Sequence, residues 1–385
     1  MYNKTSVYIA ACVGMAFFGV AFIVMGSVLP ALTAKYGLDS IQASSLVTFL
    51  PIGVLLGSLV FGPIVDKFGY RLLLISSIII TLAGLEGLSF INNLNVLRLC
   101  ILFIGFGGGM LNGSTNSLVS DICNDNDRSA KLSILGAWYG VGALLVPAML
   151  GVLSKYYPYE TVLQATGIIM LLSTIYFIAI KFPAPQNEQG LPIKQMFLLA
   201  KQPLILILSL FLFFQSGLEG LFNNWTTTYI GKTANIKPED IVLTLTFFVL
   251  GMTVARLLLS KLLGKIKHFD ILIGGLAIAI LGIIGIYCSA DLVISAISLF
   301  LCGFGLAAGF PVMIGLIGSI YRETPGTAIG LALFIALSGN SLLNYAMGYI
   351  SESFGIGSFP LFLIVLLILQ TIIIFANMKL INEKS

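Results

Sequence analysis

Charge is what this chain has least of. Only 9% of its 385 residues are charged, 20 basic and 16 acidic, where a soluble domain carries about 25%. So few charges cannot cover the surface of a soluble fold of this length. The shortage excludes a soluble enzyme, a disordered chain and a nucleic-acid binder. Histidine occurs once, as His268, and the five cysteines (Cys12, Cys100, Cys123, Cys288, Cys302) lie far apart with no CxxC among them. That spacing argues against a zinc site, a disulfide framework or a resident cofactor. A distinct leader-cleavage site is also missing. The apolar stretch after Lys4 is about twice the length of a signal core, so it reads as a first span. What is abundant is apolar: 58% of residues are hydrophobic, with 41 glycines among them. Glycine in an apolar background suits membrane helices whose backbones approach closely.

A bilayer core needs about 20 apolar helical residues to cross it. Charges punctuate this sequence at that interval. Residues 5–34, 40–65, 99–120, 132–154, 161–180, 271–290, 292–321, 324–351 and 353–378 carry none. Three more apolar stretches carry one charge each: Glu86 in 72–97, Glu219 in 202–231 and Arg256 in 241–260. The expectation is an all-α membrane protein of twelve transmembrane helices. Barrel strands would alternate over roughly ten residues instead. With an even number of spans both termini share one side. Fourteen of the lysines and arginines fall on that side and five on the other, with Arg256 inside the membrane. Positive charge concentrates on the cytoplasmic side, so both termini are expected there.

The longest polar connection, Pro183 to Pro192, lies near the midpoint and reads as a linker. The expected domains are a six-helix bundle over 1–182, a cytoplasmic linker over 183–203 and a second bundle over 204–385. Residues 193–202 read either as an interfacial helix or as the start of span seven. The two halves also resemble one another. An offset of 198 pairs Gly19 with Gly217, Gly53 with Gly251, and Gly105-Phe106-Gly107 with Gly303-Phe304-Gly305. An offset of 197 pairs Gly142 with Gly339 and Gly151 with Gly348. Ordered matches at nearly one offset point to two pseudo-symmetric halves, which in transporters place a solute site near the midplane.

The loop after span two reads Gly62-Pro63-Ile64-Val65-Asp66-Lys67-Phe68-Gly69-Tyr70-Arg71. It resembles the signature loop of the major facilitator superfamily, G-x-x-x-D-x-x-G-x-[RK]. Asp66 can accept from a neighbouring helix N-terminus and pair with a cation, Gly62 lets two helices touch, and Gly69 permits a tight turn. The resemblance implies that Gly62, Asp66, Gly69 and Arg71 form a conformational latch. In the second half Gly264 stands where Asp66 would be.

Span seven carries Gly217, Glu219, Trp225 and Tyr229 in the spacing G-x-E-x-x-x-x-x-W-x-x-x-Y, and span eight carries Gly251, Met252, Arg256 and Leu257. These residues resemble the fucose–galactose–glucose:proton symporter branch of that superfamily. A carboxylate at bilayer depth is costly unless neutral, paired or hydrated, so Glu219 is a candidate proton carrier or hydroxyl ligand. Glu86 lies nearer the outer end of span three, a span that is usually peripheral in this architecture, and is read as structural. Arg256 could pair with a carboxylate, snorkel or bind carbonyls, and is taken with Glu219 as a candidate for ion coupling.

Asn112 and Asn116 share one helix face, and amides both donate and accept, which suits vicinal hydroxyls. Asn223, Asn340 and Asn344 add amides in spans seven and eleven, where Ser338 and Ser341 extend the stripe. Trp138 and Trp225 are aromatic platforms for a solute. Together these give the candidate substrate contacts: Asn112, Asn116, Glu219, Asn223, Trp225, Asn340, Asn344 and Trp138. Pro147 and Pro311 are expected to kink spans five and ten. One departure stands out. Some members of the symporter branch carry acids in spans one and four, whereas span one here has none and span four has only Asn112 and Asn116 in its membrane part. Glu219 and Glu86 are then the strongest candidates for coupling.

The expected function is secondary transport by alternating access. The solute is small and polar, of the sugar class, moved by proton or sodium symport. A proton-coupled efflux antiporter and a non-transporting sensor or scaffold are the alternatives. The expected partners are the solute, the coupling ion and membrane lipid, with no nucleic acid, and the expected state is a monomer in a bacterial inner membrane.

Overall fold

A computed structural model describes residues 2–38, 40–91, 93–153, 156–184, 197–233, 238–263, 265–288 and 291–377. Among them the chain is all helix, with one isolated bridge between Leu263 and Ile266. In order the helices are α1 (Lys4–Tyr36), α2 (Ser40–Phe68), α3 (Tyr70–Phe90), α4 (Leu94–Ile122), α5 (Asp125–Leu153) and α6 (Tyr159–Ala179). The second half continues with α7 (Pro203–Thr233), α8 (Pro238–Leu262), α9 (His268–Cys288), α10 (Leu292–Leu306), α11 (Gly309–Ile320), α12 (Pro325–Phe354) and α13 (Phe359–Ala376). Eleven stretches among the described residues are long and apolar enough to cross a membrane, α10 and α11 counting together as one. Helix α5, 29 residues long, stands where the sequence places the fifth span. The all-α membrane architecture expected from the sequence is therefore the one the chain adopts.

Short polar residues between the apolar runs start the helices. Asn3 Oδ1 accepts from Thr5 N at 2.9 Å, Asn93 Oδ1 from Asn95 N at 3.0 Å, and Asp291 Oδ1 from Val293 N at 2.9 Å. Each also accepts from the next N–H along, so it satisfies two of the orphan donors at a helix N-terminus. Span ten is broken rather than kinked: α10 ends at Leu306 and α11 begins at Gly309. Pro311 explains the break. It has no N–H for the carbonyl of Ala307, and it falls in the first turn of α11, where proline is tolerated. Helix α5 runs continuously past Pro147. Residues 185–196, most of the expected linker, lie outside the described residues, as does Gly264. Residues 197–199 are helical and separate from α7, which starts at Pro203, so span seven does not reach back to 193.

Contacts divide the chain into two compact units. The first comprises Met1–Ile122, Trp138–Ala200 and Tyr321–Phe334, and the second Cys123–Ala137, Lys201–Ile320 and Ile335–Ser385. The start of α5 thus packs in the second unit and the start of α12 in the first. The sequence repeat reappears in how glycines pack inside each unit. A Cβ on Gly53 would overlap the Leu102 carbonyl, and one on Gly251 would overlap the Phe300 carbonyl. A Cβ on Gly105 would overlap the Leu50 carbonyl, and one on Gly303 the Phe248 carbonyl. Both pairs obey the offset of 198. Gly142 against Ala16 and Gly339 against Phe213 do the same at 197. The glycines match between halves because backbone touches backbone there, leaving no volume for any side chain.

Candidate functional site

Helix α7 presents Gln215, Glu219 and Asn223 four residues apart, so the three share one face. Gln215 Nε2 donates to Glu219 Oε1 at 2.8 Å, and Asn223 Nδ2 donates to the Glu219 backbone carbonyl at 2.9 Å. Glu219 is itself partly exposed. The Gln215 amide also donates to the Leu306 carbonyl at 2.8 Å, where α10 ends. Its own oxygen accepts from Gln370 Nε2 of α13 at 2.8 Å. Sequence reasoning missed Gln215 and Gln370. Both are uncharged and leave the apolar runs unbroken, though the four-residue step from Gln215 to Glu219 was a readable signal.

Asparagines join α7 to α12 in the same unit. Asn340 Nδ2 donates to the Ser216 carbonyl at 3.1 Å, and a Cβ on the facing Gly220 would crowd the Asn340 amide. Asn344 Nδ2 donates to the Asn340 carbonyl at 2.7 Å, while its Oδ1 accepts from Trp225 Nε1 at 3.1 Å and from Asn224 Nδ2 at 3.1 Å. The structure thus brings together five expected residues, Glu219, Asn223, Trp225, Asn340 and Asn344, in the second unit. Trp225 spends its N–H on Asn344.

Arg256 is buried, 6% exposed. Its Nη1 donates to the Gly136 carbonyl at 2.9 Å and its own carbonyl accepts from Ser133 Oγ at 2.6 Å. Of the three roles open to it from sequence, it takes the carbonyl contact. Its Nε has no hydrogen-bond partner among the described residues. Lys35–Glu160 and Arg128–Asp125 form ion pairs, and neither involves Arg256 or Glu219.

In the first unit, Asn116 Nδ2 donates to the Asn112 carbonyl at 2.8 Å and to Asn112 Oδ1 at 3.0 Å. Asn112 is buried and Asn116 partly so. Trp138 is 41% exposed, while its neighbour Tyr139 packs 5.3 Å from the Phe18 ring. Glu86 lies against Gly167 of α6, where a Cβ would overlap its carboxylate, a contact between α3 and α6.

Asp66 is buried near the end of α2, 3% exposed. Its Oδ2 accepts from Thr327 N at 3.0 Å and from the Thr327 hydroxyl. Thr327 is in the first turn of α12, so the carboxylate caps that helix and meets its positive end. Gly62 lets the backbones meet, since a Cβ there would lie 2.7 Å from the Gly326 carbonyl. Gly69 has φ +80°, a left-handed conformation that glycine takes without strain, and α3 starts immediately after it. Arg71 Nη2 donates to the Ile178 carbonyl at 2.6 Å, so it ties α3 to the residue stretch ending α6.

A sequence profile described as the Major Facilitator Superfamily matches residues 10–342. The fucose:proton symporter FucP of E. coli superposes with a TM-score of 0.78, covering 98% of each chain at 17% identity. At that identity the likeness shows the fold. The glucose/mannose transporter GlcP of Bacillus subtilis is 20% identical, over 87% of this chain and 86% of its own length. The cis,cis-muconate transport protein of Acinetobacter baylyi is 24% identical, over 88% of this chain and 86% of its own length.

Proposed function

The chain belongs to the Major Facilitator Superfamily, and from that premise we propose that it carries a small neutral polar solute of the sugar class in symport with a proton or sodium ion. One observation carries the reading. The second unit sets a single partly exposed carboxylate, Glu219, among the amides of Gln215 and Asn223 on one face of a long apolar helix. The Asn223 amide can both donate to and accept from a hydroxyl of the solute, while Gln215 is spent inside the protein on holding Glu219, and one carboxylate matches one coupling cation. Relatives named for glucose, mannose and fucose support the solute class.

In this reading Asn112, Asn116, Trp138, Asn223, Trp225, Asn340 and Asn344 contact the solute during the cycle. Glu219 carries the coupling cation and Arg256 modulates it. Gly62, Asp66, Gly69 and Arg71 form the latch. Both termini are cytoplasmic, and the protein works as a monomer in a bacterial inner membrane, within the two six-helix bundles read from sequence.

Asn112→Ala and Asn116→Ala should each weaken solute binding by about 0.5–1.5 kcal/mol while the protein still folds. Unchanged affinity in both variants, measured by equilibrium binding, would place this pair in helix packing.

An organic-acid solute is the second reading, because Arg256 is buried with an unpartnered Nε and one relative is named for cis,cis-muconate. Reconstituted protein offered sugars, nucleosides, amino acids and organic acids, with imposed proton or sodium gradients, separates the readings. We expect a sugar to accumulate above its outside concentration only with an inward cation gradient. Accumulation of an organic acid and no sugar would replace the first reading with the second. Gradient-driven expulsion would indicate efflux, and binding without flux a sensor.

A further inference from the structure

We propose that Gln215 is a positioning residue for Glu219, held in place by Gln370. The pair leaves Oε2 of Glu219 as the one oxygen presented to the coupling cation. The inference rests on the reading of Glu219 as the coupling group.

The geometry leaves the Gln215 amide a single orientation. Its two N–H bonds go to two acceptors, Glu219 Oε1 and the Leu306 carbonyl, each at 2.8 Å. Its oxygen takes the Gln370 N–H, also at 2.8 Å. Rotating the amide by half a turn would set its oxygen against two acceptors and its nitrogen against a donor, losing all three bonds at once. Gln215 is 1% exposed and Gln370 is 0% exposed, so water cannot replace what is lost. The Leu306 carbonyl is available because α10 stops there. Gly309 supplies the room, since a Cβ on it would overlap the Gln215 oxygen. The broken helix, the missing side chain and the second glutamine thus converge on one amide, and that amide grips one carboxylate oxygen.

Gln370 shows the same specialisation. Its Oε1 is buried and has no hydrogen-bond partner among the described residues. A buried orphan acceptor disfavours folding, so an apolar side chain of the same length would serve packing better. The one bond this amide makes to a side chain is the one that orients Gln215.

The test uses Gln215→Met and Gln370→Met in otherwise intact, reconstituted protein. Gln370→Met removes the orphan acceptor of Gln370 and leaves the Gln215 oxygen unpaired in its place, so the number of buried unpaired acceptors does not rise and the protein should still fold. Both variants are made with Glu219 and again in a Glu219→Gln background. With Glu219 present, each should lower gradient-driven accumulation of the solute about tenfold, the scale of one hydrogen bond to a charged group. Exchange at equal concentrations should stay within about twofold, in both backgrounds. Equal losses of exchange in the two backgrounds would mean that the glutamines only pack the helices, and would overturn the proposal. Unchanged accumulation in both single variants would overturn it too, while a Glu219→Gln defect would leave the coupling role of Glu219 standing. Normal gradient-driven accumulation by Glu219→Gln itself would overturn both.

Discussion

Glu219→Gln is expected to abolish gradient-driven accumulation while retaining exchange of the solute at equal concentrations. Glutamine keeps the length of the side chain and an oxygen for the Gln215 amide to bond. It cannot take up or release a proton, and it binds a cation far more weakly than a carboxylate. The solute contacts proposed for Asn112, Asn116 and Asn223 are untouched, so binding and the conformational cycle should continue. Accumulation should fall at least tenfold, because without coupling the solute only equilibrates. An accumulating variant with unchanged dependence on the gradient would remove Glu219 from coupling. A variant that no longer binds would make Glu219 a solute ligand and leave the coupling group elsewhere.

Asp66→Asn should slow turnover about tenfold with intrinsic solute affinity held within about twofold. Asp66 belongs to the first half of the sequence and its partner Thr327 to the second, and the carboxylate caps the N-terminus of α12. Asparagine still offers an oxygen to the Thr327 N–H but loses the charge that meets the helix end. Charge-assisted bonds and helix-end effects of this kind contribute about 1–3 kcal/mol, and about 1.4 kcal/mol is tenfold in the balance between two conformations. A conformation favoured by this cap loses that advantage, and the cycle stalls in the other. Thr327→Val should reproduce the defect, since it removes the second donor to the same oxygen. Flux at the normal rate with much weaker affinity in Asp66→Asn would contradict a latch.

Much of the fold was legible because its constraints act on single residues. Gly53 and Gly251, or Gly105 and Gly303, sit where two backbones touch, so the same residue is needed in both halves and the repeat survives in the sequence. Glu219 was legible because a carboxylate interrupts an apolar run. Thr327 was not, because its partner lies 261 residues away and a threonine at a helix start is ordinary. The Gln215–Gln370 pair stayed hidden for a similar reason: each is an uncharged side chain in an apolar helix, and only the folded chain shows the bond between them. Pro311 announced a distortion of span ten, but a full break needed the carbonyl that proline orphans and the glycine two residues before it. The charge on Arg256 invited an ion pair, whereas the structure gives its guanidinium a backbone carbonyl.

The central claim is that a neutral polar solute and a cation cross together. Solute-evoked current in proteoliposomes, recorded at zero applied voltage for wild type and Glu219→Gln, tests it most directly. If the account holds, a transported sugar evokes a current that carries positive charge in the direction of the solute, and the current disappears in Glu219→Gln. Solute flux without current in the wild type, or a current of opposite sign, would contradict it.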